Sequence, residues 1–195
     1  MILGLTGFSG AGKSTVAEIF KEHGFYHLDC DRLVHEEVYH DPEVLAALAQ
    51  VFGDDLIQNG ELNRPALRHR TMGDPKALKT LNDTVMPFIL LHIRRTLDAH
   101  RNEPVILDAP LLFESGLHEE CDKVLSVIAD PEEALHRIIE RDHLTAEEAQ
   151  KRLSSQHPAE YYTEKSDYVL VNDQGLAALT KQTVALLNQI YDPAL

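Results

Sequence analysis

A chain of 195 residues can bury a core of its own and fits one α/β domain with an insertion or two small domains, of which the single domain is the expectation. With 32 Asp and Glu against 18 Lys and Arg, the formal net charge is −14, so the molecule repels nucleic acids and anionic membranes and must receive any anionic ligand on locally concentrated cations. Cys30 and Cys121 form no CxxC pair, no apolar run approaches the ~18 residues of a membrane span, and the strand beginning at Ile2 leaves no room for a leader; a disulfide framework, a structural zinc site and a membrane partner find no support, and a cytoplasmic location is expected.

The first element read along the chain is an apolar strand, Ile2 to Leu5, followed by Gly7-Phe8-Ser9-Gly10-Ala11-Gly12-Lys13-Ser14-Thr15 and a helical run from Thr15 to Lys21. The loop fits GxxxxGK[ST] between a strand and a helix, the context in which that pattern is a phosphate-binding P-loop. Backbone N–H groups of Gly10, Ala11 and Gly12 and the positive end of the helix would cradle a nucleotide's phosphates. Lys13 would reach the β- and γ-phosphates, Ser14 would place its hydroxyl on Mg²⁺, and Thr6 and Thr15 would lie beside the phosphates as further donors. ATP and Mg²⁺ are the cofactors this implies.

Gly24 stops the helix, and Phe25 to Leu28 reads as a second strand ending in Asp29-Cys30-Asp31. In a doubly wound parallel sheet the carboxyl edge faces the ligand, so one of the two aspartates is expected to cap a helix starting near Arg32 and the other to do chemistry. From Asp41 to about His100 the strand signal disappears. Asp41-Pro42 and Asp74-Pro75 mark helix starts, Val44, Leu45, Leu48 and Phe52 recur at helical spacing as do Leu78, Leu81, Val85 and Phe88, and Pro87 is expected to kink the longer helix. Between them Arg64, Arg68 and Arg70 concentrate positive charge, either to grip a phosphorylated substrate or to pair with neighbouring carboxylates.

Strands resume at Val105 to Asp108, where Asp108 is either an Mg²⁺-side carboxylate or a capping residue, and at Val124 to Ala129. A third Asp-Pro start, Asp130-Pro131, opens a helix carrying Arg137 and Arg141 at i and i+4 on one face. Both could bear on the same phosphates, or pair with Glu133, Glu140 or Asp142. Thr145 to Glu148 is a capping box opening the next helix, which carries Arg152 and leads to Gln156; helix, turn and helix make a plausible lid. Tyr168 to Val171 reads as a fifth strand, Asn172 to Gly175 as a turn, and the rest as a C-terminal helix. No heptad repeat specifies an oligomeric state.

Taken together these residues resemble the dephospho-CoA kinase family along nearly the whole chain. The resemblance rests on the P-loop, Asp29-Cys30-Asp31, the GxLxRxxLR-like run from Gly60 to Arg68, Pro110-Leu111-Leu112-Phe113-Glu114, Arg137 to Asp142, Arg152 to Gln156, and Ser166 to Asn172. It implies a three-layer α/β P-loop core with a five-stranded parallel sheet (1–40, 101–130 and 165–195), a helical CoA-binding insertion (41–100) and a helical lid (131–160). It also implies Asp31 as base toward the ribose 3′-hydroxyl of 3′-dephospho-CoA, Thr6 and Lys13 as phosphate contacts, Arg141 as a catalytic lid arginine, and Arg137 as a nucleotide contact. Arg64, Arg68, Pro110 and Leu111 become substrate contacts. The chain departs from the family pattern in Phe8, Ser9 and Ala11 of the loop and in Met86-Pro87, where a His-Pro pair is usual; Asp108 is not a constant family feature. A nucleoside, nucleotide or sugar kinase would share the core but not the Pro110–Glu114 and late-strand matches, and a guanine-nucleotide switch would carry an NKxD motif, which is absent.

Overall fold

The computed structural model describes residues 1–191; the last four residues of the segment expected to close the core lie outside them. In chain order, β1 (Ile2–Thr6) leads through the loop into α1 (Lys13–Glu22), and β2 (Tyr26–Asp29) into α2 (Cys30–Glu36). There follow α3 (Pro42–Phe52), β3 (Ile57–Gln58), β4 (Glu61–Leu62), α4 (Arg64–Thr71) and α5 (Pro75–Ala99). The chain continues with β5 (Val105–Asp108), β6 (Lys123–Ile128), α6 (Pro131–Asp142), α7 (Ala146–Ser154), α8 (Ala159–Lys165), β7 (Tyr168–Val171) and α9 (Leu176–Ile190). Two compact units result, Met1–Leu28 with His100–Leu195, and Asp29–Ala99.

The first unit is built on a five-stranded sheet in the order β2-β5-β1-β6-β7. β1 pairs in parallel with β5 (Leu3 opposite Ile106) and with β6 (Leu5 opposite Leu125), and β6 pairs in parallel with β7 (Val127 opposite Leu170). Leu3, Leu5, Ile106, Leu107, Leu125 and Val127 have no accessible surface, as expected of strands covered on both faces. Successive strands are laid down on one side of β1 and then on the other, so the order reverses at β1; in such sheets the ligand crevice opens beyond the carboxyl ends at that point. This is the α/β P-loop architecture expected from the sequence.

The second unit has its own core, Val38, Val44, Leu48, Leu56, Leu67, Leu81 and Val85. It reaches back to Asp29 because α2 packs on the 3-10 turn at 38–40 and on α5. α5 is a single 25-residue helix with Pro87 inside it; the ring removes one N–H donor, yet Leu81, Val85, Ile93 and Leu97 are buried on either side and hold the segment helical. Leu78, read with the apolar stripe, is exposed. Two features went unread in the sequence: the hairpin of β3 and β4, whose strands are too short to show an alternation, and α8, whose N-cap is Pro158 with no capping side chain. The hairpin turns on Asn59 (φ 54°) and Gly60 (φ 81°), the left-handed pair that a two-residue turn demands.

All three Asp-Pro starts are realised. Asp41 accepts from Glu43 N–H at 2.8 Å, Asp74 from Lys76 N–H at 2.9 Å and Asp130 from Glu132 N–H at 2.9 Å, each supplying an acceptor to a first-turn donor while the proline has none to leave unsatisfied. Asp41 is also shared with His92 Nε2 at 3.0 Å, and the His92 and Glu43 hydrogen bonds hold its carboxyl below the usual carboxylate range. A carboxyl depressed in the folded state stabilises fully above its unfolded value and loses that contribution as pH falls through the folded one. Urea unfolding followed from pH 5 downward is therefore expected to show wild type losing stability more steeply than Asp41→Asn, with the two curves converging at the acid end. Among the described residues, no helix is long and apolar enough to cross a membrane.

Candidate active site

The loop between β1 and α1 takes its shape from two backbone approaches. Gly7 (φ 134°) lies so close to β6 that a Cβ would run into the Val127 carbonyl, and a Cβ on Gly10 (φ 81°) would run into the carbonyl of Ala134 in the first turns of α6. No side chain fits at either position. Ala11 N–H closes the turn on the Phe8 carbonyl at 3.2 Å. The α1 N-cap is Gly12, which brings no capping side chain, so the first-turn N–H groups of Lys13 and Ser14 and the helix dipole are left to an external anion. Ser14 is exposed and Thr15 half-buried.

Arginines from α6 close over this loop. Arg137 donates from Nη1 to the Gly10 carbonyl (3.3 Å) and from Nη2 to the Asn172 carbonyl (3.5 Å), while Asn172 Nδ2 donates to the Ala11 carbonyl at 2.9 Å. Arg141 donates from Nη2 to Ser9 Oγ at 3.3 Å and from Nε to Asp142 at 2.7 Å; Asp142 also receives Arg152 at 2.6 Å. The hydrogen bond from Arg141 is the main cause of an Asp142 carboxyl held below its ordinary range. Arg141 thus pairs with Asp142, as one reading of the arginine pair expects, and also touches the loop. Gln156, just beyond α7, accepts Ser9 N–H at 2.8 Å, so the loop is gripped from both ends of the α6–α7 segment.

Asp108 stands at the carboxyl end of β5, opposite Leu5 of β1. Lys13 Nζ lies 3.5 Å from its Oδ1 and His27 Nε2 3.4 Å from its Oδ2, with all three side chains largely shielded from solvent. Burial works to raise the Asp108 carboxyl, but the His27 contact and the Lys13 charge overcome it and leave the group below the usual carboxylate range. Thr6 proves to be a tie rather than an exposed contact. It has no accessible surface and donates its hydroxyl to the Pro110 carbonyl at 3.3 Å, fixing the segment after β5 against the end of β1. On that segment Leu111 is 64% exposed, and Phe113 packs edge-on to Tyr161 of α8.

In the second unit Asp29 Oδ1 accepts Arg32 N–H at 3.0 Å and caps α2, and Asp31 lies exposed in the first turn of the same helix. A groove of about 730 Å³ is lined by His35, Tyr39, Arg64, Pro65, Arg68 and Met72 among others. Arg64 contacts the His35 ring and lies 5.9 Å over Tyr39, while the Arg68 side chain makes no hydrogen bond or ion pair among the described residues. Arg70 turns out to be structural: it is tied to the Phe52 carbonyl and to Asp55. Arg68→Ala is accordingly expected to raise the KM for the phosphorylated acceptor by roughly tenfold, the scale of one charge-assisted hydrogen bond, whereas Arg70→Ala lowers the melting temperature and leaves that KM in place.

The sequence reading passed over the roles of His27, Gln156 and Asn172. His27 carried a signal, a polar side chain within an otherwise apolar strand, and Asn172 closes the late-strand run from Ser166, though its burial (5% exposed) immediately after β7 is seen only in the structure.

The site can therefore hold an anionic chain of phosphates under two arginines, beside a lysine and a buried carboxylate. A model of the dephospho-CoA kinase family matches residues 1–178. The chain belongs to the dephospho-CoA kinase family. A dephospho-CoA kinase of Fusobacterium nucleatum is 35% identical over 183 residues, 93% of this chain and 94% of the relative. Among solved structures, TT1252 of Thermus thermophilus superposes with a TM-score of 0.82 at 31% identity, covering 98% of each chain. The dephospho-CoA kinase of Campylobacter jejuni superposes with a TM-score of 0.70 at 26% identity, covering 100% of this chain and 98% of that one.

Proposed function

We infer that this chain transfers the γ-phosphoryl group of ATP to the ribose 3′-hydroxyl of 3′-dephospho-CoA, giving CoA and ADP, the last step of CoA synthesis. The observation that carries this reading is a loop ending in an uncapped helix N-terminus, touched by the α6 arginines, in a chain that matches the dephospho-CoA kinase family over residues 1–178. In the transfer the 3′-oxygen forms a bond to the γ-phosphorus, the bond from that phosphorus to the β,γ-bridging oxygen breaks, and the hydroxyl proton passes to a carboxylate, Asp31. The capping role of Asp29 supports Asp31 as that base. Lys13 neutralises charge on the β- and γ-phosphates. Arg141, close to Ser9, stabilises the equatorial oxygens in transfer; Arg137, the N–H groups of Gly10, Gly12, Lys13 and Ser14, and the Thr15 hydroxyl hold the nucleotide.

Mg²⁺ fits the residues present. Asp108 Oδ1 is buried without a hydrogen-bond partner, and Ser14 presents its hydroxyl from the first turn of α1. Among the described residues no group of three or more His, Cys, Asp or Glu could hold a metal ion, which suits an ion that takes one or two protein oxygens and completes its shell with phosphate and water. Held by Asp108 and Ser14, the ion would supply positive charge against that of the nucleotide's phosphates.

Arg64 and Arg68 would receive the acceptor's pyrophosphate along an apolar groove suited to its pantetheine arm, and Pro110 with the exposed Leu111 would contact substrate from the segment Thr6 holds. In domain terms the reading is a core of 1–40, 101–130 and 165–195, a CoA-binding insertion of 41–100 and a lid of 131–160. A cytoplasmic location goes with this reading. The test is ADP release with Mg·ATP and a panel of dephospho-CoA, adenosine, nucleoside monophosphates, shikimate and gluconate. Stimulation by dephospho-CoA is the expected result; stimulation by another acceptor alone overturns the assignment.

A further inference from the structure

We propose that His27 is a positioning residue for the phosphoryl-transfer site: its Nε2 holds Asp108 Oδ2, leaving Oδ1 directed at Lys13 and open to a divalent cation. The proposal rests on the assignment of Asp108 to Mg²⁺ made above and adds the group that prepares it.

Sheet order makes the arrangement possible. β5 lies between β2 and β1, so Asp108 at its carboxyl end is reached by His27 from the β2 side and by Lys13, which follows β1, from the other. The two carboxylate oxygens are divided between these neighbours, Oδ2 at 3.4 Å from His27 Nε2 and Oδ1 at 3.5 Å from Lys13 Nζ. Both His27 Nε2 and Asp108 Oδ1 are buried, and neither has a hydrogen-bond partner within ordinary range. Buried polar atoms are rarely left so. A movement of a few tenths of an ångström would turn the Nε2 to Oδ2 approach into a hydrogen bond, as happens when loosely set catalytic contacts tighten on binding. With Nε2 as the donor, the ring occupies Oδ2 and leaves Oδ1 as the oxygen open to a cation. Oδ1 is then the unsatisfied acceptor of the pair, held beside a lysine and a helix N-terminus that attract phosphate. Groups that hold a metal-binding carboxylate or imidazole from behind affect metal affinity by roughly 10–100-fold when removed.

The experiment titrates Mg²⁺ into the full chain with a fluorescent ATP analogue and reads nucleotide binding, alongside kcat and both KM values. His27→Val is expected to raise the Mg²⁺ concentration for half-maximal binding by roughly 10–100-fold while leaving the KM for dephospho-CoA unchanged. His27→Gln, whose side-chain amide can donate to Oδ2, is expected to recover most of the loss, and it keeps the test open if the valine variant folds poorly. Asp108→Asn separates the two layers of the argument. If Asp108→Asn shifts the Mg²⁺ midpoint and folded His27→Val does not, or if His27→Gln is no better than His27→Val, the positioning role is overturned and the metal assignment stands. If Asp108→Asn leaves the midpoint in place, the metal assignment falls and takes the positioning role with it.

Discussion

Asp31→Asn is expected to bind ATP as wild type does and to transfer its phosphoryl group ~10²–10⁴-fold more slowly, the range found when a general base is removed. The neighbouring aspartate supplies the contrast. Asp29 caps α2 through Oδ1, and asparagine caps a helix about as well as aspartate, so Asp29→Asn should keep both fold and turnover. Asp31 lies in the first turn of the same helix, where an added carboxylate suits the dipole, so its amide variant is not expected to unfold the segment. Nucleotide binding measured by equilibrium titration, together with single-turnover transfer, separates the two residues. Equal losses for both variants would place the effect in the helix rather than in proton transfer.

A comparable loss, ~10²–10³-fold in kcat/KM, is expected for Lys13→Met, but by a different route. Lys13 is the cation nearest Asp108 Oδ1 at 3.5 Å, and that carboxylate is only 12% exposed. Taking the lysine away removes its proposed contact to the β- and γ-phosphates and also leaves a shielded carboxylate with His27 alone, so the Asp108 carboxyl rises from its depressed value. The single variant should therefore be less stable than wild type as well as slower. Removing one member of a buried pair is destabilising, whereas removing both is often close to neutral. Lys13→Met combined with Asp108→Asn is accordingly expected to regain stability in urea without regaining activity. A double variant as unstable as the single one would show that Asp108 is not what Lys13 compensates.

Local signals were legible in the sequence because their physics is local. The glycine, lysine and serine spacing from Gly7 to Ser14 and the Asp-Pro starts at Asp41, Asp74 and Asp130 each act over a few residues, and each forms the turn or cap its chemistry dictates. What remained hidden depends on which strands become neighbours. His27 and Asp108 are far apart in the chain and meet because β2 lies beside β5, an order that periodicity does not encode. Thr6 was read as a phosphate donor from its place before the loop, yet strand register buries it completely and turns its hydroxyl to Pro110. Among the clustered arginines, the Arg68 side chain has no hydrogen bond or ion pair among the described residues and Arg70 is tied to Asp55 and a carbonyl, a division set by the packing of α4 and not by composition. Gln156 reaches Ser9 only because α6 and α7 double back over the loop.

The central claim concerns where the phosphoryl group goes. Incubation with ATP labelled in the γ-phosphate and an equal amount of dephospho-CoA, followed by phosphorus NMR of the product, reads the acceptor atom directly. The label is expected on the ribose 3′-oxygen as a single new phosphomonoester, with one ADP formed for each CoA. Label released as inorganic phosphate, or found on any other oxygen of the acceptor, would contradict the account.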